Sequence, residues 1–551
     1  MSRRIAEHYA RLRSSERPAP AKEFGRAEAR VVLVFPNSYY VGMSNLGFQT
    51  VYGIVNSLSG YLCDRFFPDD WTWDGLPLSL ECERPLVDFD VVAFSVAFEN
   101  DYINVLKTLE TAHLPLRSSD RDGSHPLVVL GGAVTFINPE PIADFVDVIV
   151  MGEGEETTPR LFAALGRMKS KPRRAQLEEA AGMEGIYVPP LSPRVPFGPY
   201  QLSNRRGGKS HIPEEDVSHS RIISAHTEFS ETFLVEISRG CPYNCRFCAV
   251  GHTYPHFRRA PAGAVLRVVD RALDSSEVWP PFKRVGLVSS AVGDHPELEE
   301  ICSGLTERGL GVTVSSLRVD KLSDFLLDCL AASGTRTVAI APEAGSRRLR
   351  MVVKKDISEE AVLDGAARAV ARGIPNIRLY FVIGLPTETD GDIEALMRLV
   401  LKVRKVMDEA AHGGPPAGTL TVSLAPFVPK PQTPLQWSPM GQPAVTKRKL
   451  SMVRRGLGGV RGVNVRSESL KAAYLQGILS RGGRQMSAFL EEANRLGGDW
   501  KQAAASSGLD LESCLGPRGL DDGAPWEMMY GEGQLEKLAW EYKRAQSYVK
   551  S

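Results

Sequence analysis

The chain lacks any apolar run long enough to cross a bilayer, and its opening stretch, MSRRIAEHYARLRSSERPAP, has no apolar core of the kind a secretory signal needs. A cytoplasmic protein with no membrane partner is expected. It also lacks a surplus of charge: 66 Lys plus Arg balance 66 Asp plus Glu, so no overall field draws it to nucleic acid or to a membrane surface. A nucleic-acid contact would need a local basic patch. Cysteine is scarce as well. Of eight, five stand apart at positions 63, 82, 302, 329 and 514, which is not the pattern of a secreted disulfide framework. Short-period repeats and low-complexity tracts are missing. What the chain has is length: 551 residues, 43% of them hydrophobic, are enough for about two to four domains with substantial cores.

The other three cysteines are crowded into SRGCPYNCRFCAVGHTYPHFRR, residues 238–259. Cys241, Cys245 and Cys248 can together hold a metal. A structural zinc site closes all four positions, and here a fourth ligand could come only from a residue such as His252 or His256. A cubane iron–sulfur cluster held by three thiolates leaves its fourth iron open to an outside ligand. The triad directly follows an apolar run, FLVEIS, and the carboxyl ends of barrel strands are where barrel enzymes place reactive groups.

The rest of the chain reads as α/β. Runs at 30–35, 90–96, 126–132 and 146–152 are apolar throughout, as strands buried on both faces of a parallel sheet are. They suggest a Rossmann-like, doubly wound domain over 26–200, after an N-terminal extension, 1–25. A polar, turn-rich stretch marks a linker, 201–228. Further strands are expected at 233–237, 285–290, 311–316, 336–341, 377–383 and 419–425, with helices between them, as where Ile393, Leu396, Met397, Val400, Val403 and Met407 recur at helical spacing. Six such units make a partial (β/α)6 barrel over 229–442. Residues 443–551 turn Lys/Arg-rich and mainly α-helical.

C-x-x-x-C-x-x-C after the first strand of a partial barrel resembles the radical S-adenosylmethionine (SAM) superfamily. The resemblance implies a [4Fe-4S] cluster on Cys241, Cys245 and Cys248, SAM on its open iron, and reductive cleavage of SAM to a 5′-deoxyadenosyl radical. It places Phe247 against the adenine, and nominates Ser289, Ser290 and Gly293 in SSAVGDHPE for the methionine-binding turn. SSLRVD and APEAGS nominate Ser316, Arg318 and Glu343 as cofactor contacts. YFVIGLPTET at 380–389 resembles the fifth-strand signature. An electron donor of flavodoxin or ferredoxin type is implied as partner.

An α/β domain ahead of such a barrel resembles the cobalamin-binding domain of one branch of the superfamily, and residues 128–157 are similar to that branch. The resemblance implies cobalamin near Ser95, Gly131 and Gly132, where two glycines after a buried strand let a bulky ligand approach the backbone. The branch's D-x-H-x-x-G motif, whose histidine ligates cobalt, is replaced by FPNSYYVGMSNLG, so cobalamin would lack that lower ligand. Tyr39 and Tyr40 there either face a corrin or pack in the core. GEGEE at 152–156 reads as acidic partners of a helix dipole rather than a phosphate loop.

The leading expectation is therefore a radical SAM enzyme, with cobalamin, that methylates or otherwise modifies an unidentified substrate. Two alternatives stand beside it. One is a methylthiotransferase acting on RNA or protein, for which PFVPKPQTP and the basic run KRKLSMVRR at 447–455 speak, although only Cys63 and Cys82 precede the triad to build a second cluster. The other is a non-enzymatic, zinc-stapled binding protein.

Overall fold

A computed structural model describes residues 3–17, 23–68, 76–197, 211–254, 256–274, 282–315, 317–411 and 416–548. Its first unit is a six-stranded sheet of β1 (Ala29–Val34), β2 (Tyr61–Phe66), β3 (Val91–Ser95), β4 (Leu127–Gly131), β5 (Val148–Val150) and β6 (Ile186–Tyr187), in the order 2-1-3-4-5-6. The first five are parallel and β6 is antiparallel to β5. Helices α1 (Leu46–Ser57), α2 (Tyr102–Thr111) and α3 (Gly154–Met168) connect them. Strand order reverses between β1 and β3, which leaves a crevice at their carboxyl ends, the usual ligand position in open α/β sheets.

Gly132, just past β4, has φ of +108° and ψ of −176°, and a Cβ there would lie 2.4 Å from the Val96 carbonyl oxygen. The glycine is thus demanded by backbone packing between β3 and β4. Gly132→Ala should cost about 1–3 kcal/mol from the backbone conformation alone, measured by denaturant unfolding, with the clash adding to it. Gly131 differs, because its Cβ would meet nothing closer than Val150 at 3.9 Å.

The second unit is parallel throughout: β7 (Thr232–Glu236), β8 (Arg284–Val288) and β9 (Gly311–Val314) form one ladder, and β10 (Thr337–Glu343), β11 (Asn376–Ile383), β12 (Leu420–Pro426) and β13 (Val463–Ser467) another. A bridge from Leu317 to Ile340 joins them. Buried Ile377, Leu379, Phe381 and Ile383 alternate along β11, while outside it α4 (Asp390–Ala410) buries Ile393, Leu396, Val400, Val403 and Met407 after a Thr389–Asp392 capping box. The βα alternation runs one strand beyond the six expected, since α5 (Pro443–Leu457) leads into β13.

The C-terminal helices tie the two units together. α6 (Leu470–Arg481) and α7 (Met486–Arg495) share a core with the first sheet, where Ile478, Leu479, Phe489 and Leu490 join Tyr102, Val105, Leu109 and Phe145. α8 (Gln534–Ser547) crosses to the barrel, its Ala545 packing with Ala344, Leu349, Leu385 and Phe427. Among the described residues no helix is long and apolar enough to cross a membrane.

Candidate metal centre at the barrel mouth

Beyond β7 the chain forms a closed loop, because Ser238 and Arg239 pair antiparallel with Arg259 and Arg258. This loop carries the three cysteines. Between them sits Arg246, 1% exposed, which fixes the loop from beneath. Its N–H donates to the Val353 carbonyl at 3.0 Å, its carbonyl accepts from Leu435 N–H at 3.0 Å, and its guanidinium reaches Met351 O, Val352 O and Glu541.

The thiols of Cys241, Cys245 and Cys248 are half-buried, and burial raises the pKa of each, Cys245 to about 11 with Lys355 opposing the rise. Cys245 feels the charge of Cys241 and Cys248, and Cys248 that of Cys241, so the three border a common space. Among the described residues no three His, Cys, Asp or Glu side chains gather as around a single metal ion. A cubane asks for a different donor set, thiolates spread over separate irons, and three thiols ringed by one loop meet that demand. Loading would release their protons. His252 does not offer a fourth ligand through Nε2: that atom lies 3.1 Å from the Cys245 carbonyl, and burial holds the ring neutral, with a pKa lowered to about 4, so Nε2 carries the proton and donates it there.

Glu343 ends β10 at φ +66°, where the register with β11 is irregular, and its carboxylate accepts from Lys355 Nζ at 2.8 Å. Both side chains are close to buried, at 12% and 10% exposure. Lys355 acts electrostatically on all three thiols, and Glu343 on Cys248. The sequence reading passed over Lys355, whose one signal was a Lys-Lys pair closing the apolar Met351–Val353 turn. Arg318 lies 3.7 Å from the Tyr243 ring centroid and pairs with Asp320, so Arg318 and Glu343 do not pair with each other. Tyr243 in turn donates to Asp294 Oδ1 at 2.5 Å, whereas Asp294 Oδ2 is buried with no hydrogen-bond partner among the described residues. That orphan acceptor bears on Cys241 and fits an ammonium donor, while Lys355 fits a carboxylate; together they suit the aminocarboxylate end of SAM.

Of the other nominated residues, Ser289, Gly293 and Phe247 are engaged within the fold. Ser289 Oγ is engaged by Ser238 Oγ at 2.5 Å and by Ala291 N–H at 2.9 Å, and Ser290 is exposed. Gly293 packs so tightly on Lys321 that a Cβ would lie 2.7 Å from its carbonyl oxygen. Phe247 packs, partly buried, on the apolar group around Leu349 and Phe427. Ser316 falls outside the described residues.

Ser95, Gly131 and Gly132 line a cavity of about 310 Å³ at the carboxyl edge of the first sheet, together with Leu46, Thr50 and Val51 of α1. Its far wall belongs to the barrel: Glu236, Arg239, Tyr254 and Val288. The two units are riveted beside it by Arg239, which binds Glu153 at 2.9 Å, Glu155 at 2.6 Å and Glu236 at 2.6 Å, and by Arg258, which also binds Glu153. GEGEE is therefore more than a set of dipole partners; two of its acids are spent on this interface. Tyr39 is in the core, 3% exposed, its hydroxyl donating to Glu16 at 2.6 Å, while Tyr40 is exposed.

Residues 235–400 match the family model of the radical SAM superfamily, and residues 47–189 match the model for the N-terminal part of radical SAM proteins. The chain belongs to the radical SAM superfamily. It is an enzyme, and its cofactors are a [4Fe-4S] cluster and SAM. This radical SAM enzyme is 28% identical over 466 residues to the uncharacterized protein MJ0966 of Methanocaldococcus jannaschii, spanning 84% of the chain and 90% of the relative. It is 24% identical over 319 residues to cytidylyl-2-hydroxyethylphosphonate methyltransferase of Streptomyces wedmorensis, spanning 54% of the chain and 58% of the relative. Among solved structures it is similar to the cobalamin-dependent S-adenosylmethionine radical enzyme OxsB, at 13% identity and a TM-score of 0.43, with 95% of the chain and 80% of OxsB covered. A non-enzymatic zinc-stapled protein is thereby set aside.

Proposed function

We propose that this radical SAM enzyme methylates, or otherwise modifies by a radical route, an unidentified substrate, and that its N-terminal domain holds cobalamin. The observation that carries this reading is the cavity at the switch point of the first sheet, which opens toward barrel residues flanking the cysteine loop. A ligand held there would lie between the two units. The residues present fit an arm of a corrinoid: the walls are mostly apolar, Ser95 supplies a hydroxyl, and Gly131 leaves room no side chain fills. A space of about 310 Å³ takes such an arm and not the whole molecule. Among the described residues no histidine lines it. Cobalamin, when bound, supplies a methyl carrier, and the cluster supplies the electron that cleaves SAM. The protein's own part is to hold SAM through Asp294, Glu343 and Lys355 and to fix the cysteine loop through Arg246. The named activity of the Streptomyces relative, methyl transfer, agrees with this reading.

A methylthiotransferase is the weaker reading. A second cluster in the N-terminal domain would have to start from Cys63, buried in β2, and Cys82, whose thiol is pushed far up by burial and by Asp64. The basic run at 447–455 is partly neutralised within the fold, Arg448 by Asp390 at 2.8 Å and Lys449 by Glu388 at 2.9 Å.

Hydroxocobalamin added to anaerobic protein should co-elute stoichiometrically, and its cob(II)alamin spectrum should show no nitrogen coupling from an axial ligand. Gly131→Leu, which fills the cavity without a backbone clash, should block that binding and leave the iron content unchanged. Wild-type protein that retains no cobalamin yet cleaves SAM would remove cobalamin from the proposal and leave direct hydrogen abstraction.

A further inference from the structure

Helix α8 has two faces with different jobs. The inner face holds the cysteine loop: Glu541 binds the Arg246 guanidinium at 2.8 Å and the Lys354 ammonium, and Gln534 Nε2 donates to the His252 carbonyl at 3.1 Å. The outer face carries Lys537, Trp540, Lys543 and Arg544, all exposed. Trp540 is 55% exposed and has the Arg544 guanidinium 5.3 Å from its ring centroid. None of the three cations has an ion-pair partner among the described residues, and the helix has one exposed acid, Glu536, against them. An exposed indole alone needs no explanation, but an indole among uncompensated cations has the composition of an interface centre, where Trp and Arg are enriched.

We propose that this outer face of α8 is the docking site of the enzyme's electron donor, a small acidic carrier protein of flavodoxin type. The proposal rests on the radical SAM reading, in which the cluster must be reduced before SAM is cleaved. A helix with its side chains is about 10–12 Å across, so a donor on the outer face sits one helix away from the loop that holds the thiolates. The step is balanced simply: the reduced flavin gives up an electron, the oxidised cluster takes it, and no proton or bond changes hands. That electron then breaks a carbon–sulfur bond of SAM to give methionine and the 5′-deoxyadenosyl radical. Free cations favour an acidic donor by steering its approach, an effect that salt weakens. The basic run on α5 is the poorer candidate because Arg448 and Lys449 are paired with Asp390 and Glu388 and no aromatic residue stands among its other cations.

The test uses full-length, cluster-loaded enzyme and a pre-reduced flavodoxin freed of chemical reductant. Wild-type reduction should slow as sodium chloride rises. The triple variant Lys537→Glu, Lys543→Glu, Arg544→Glu should be reduced by flavodoxin at least about tenfold more slowly, and Trp540→Ala should also be slower with the salt dependence kept. Dithionite should reduce the triple variant and drive its SAM cleavage as in the wild type. Flavodoxin reduction of the triple variant at the wild-type rate would overturn the proposal. So would failure of dithionite to reduce the variant, which would give the face a role in holding the loop. If dithionite drives no SAM cleavage in the wild type, the radical SAM reading itself falls, a result the flavodoxin rates cannot mimic.

Discussion

Replacing Cys241, Cys245 and Cys248 together with alanine is expected to abolish the iron–sulfur absorbance, the paramagnetic signal of the reduced protein and all formation of 5′-deoxyadenosine. The fold should survive. The loop does not depend on the thiols for its shape: it is closed at its base by the 238–239 and 258–259 pairing, and anchored by backbone bonds of Arg246 to Val353 and Leu435. The thiols themselves are only half-buried, so removing them opens no deep cavity. Each single replacement should be almost as damaging as the triple, since a cubane with two protein thiolates exposes a second iron. Iron and sulfide analysis against zinc on the same samples separates this expectation from a mononuclear site. A triple variant that keeps the absorbance would place the cluster on other cysteines, among which Cys302 and Cys514 are buried.

In the first unit β1, β3, β4 and β5 were legible because they are buried on both faces and so read as unbroken apolar runs. β2 was not, and the reason is chemical. Its Asp64 and Arg65 break the apolar pattern, yet both are buried: Arg65 is bracketed by Glu16 and Glu81, each at 2.6 Å, and Asp64 accepts backbone N–H groups from Arg65, Glu81 and Cys82. A pattern read from hydrophobicity cannot see charges that satisfy each other. β13 escaped for the opposite reason, as VNVRS is a half-exposed edge strand with little apolar signal. At the site, the cysteine triad is local in sequence and could be read directly. Lys355 could not, because what makes it matter is a partner at the end of the preceding strand, held at an unusual backbone angle. Asp294 lies within SSAVGDHPE, yet only the burial of its unpaired oxygen marks it.

Lys355→Met is expected to destabilise the protein by about 3–5 kcal/mol, because it leaves the Glu343 carboxylate close to buried with no counter-charge. The double variant Lys355→Met, Glu343→Gln should regain most of that stability, since neither remaining side chain is charged. Denaturant unfolding of the two singles and the double closes the cycle and yields the coupling between them. SAM affinity should behave differently. If Lys355 and Glu343 meet the charged aminocarboxylate, each single variant and the double should bind SAM at least about tenfold more weakly, the loss of one charge-assisted contact. Equilibrium dialysis on anaerobic protein measures this, and iron content should stay at the wild-type level because neither side chain is a ligand. The double variant is the decisive sample: stability restored with SAM binding still lost means that the pair exists for the cofactor. Stability and SAM affinity restored together would reduce it to a structural pair and leave Asp294 as the site's polar anchor.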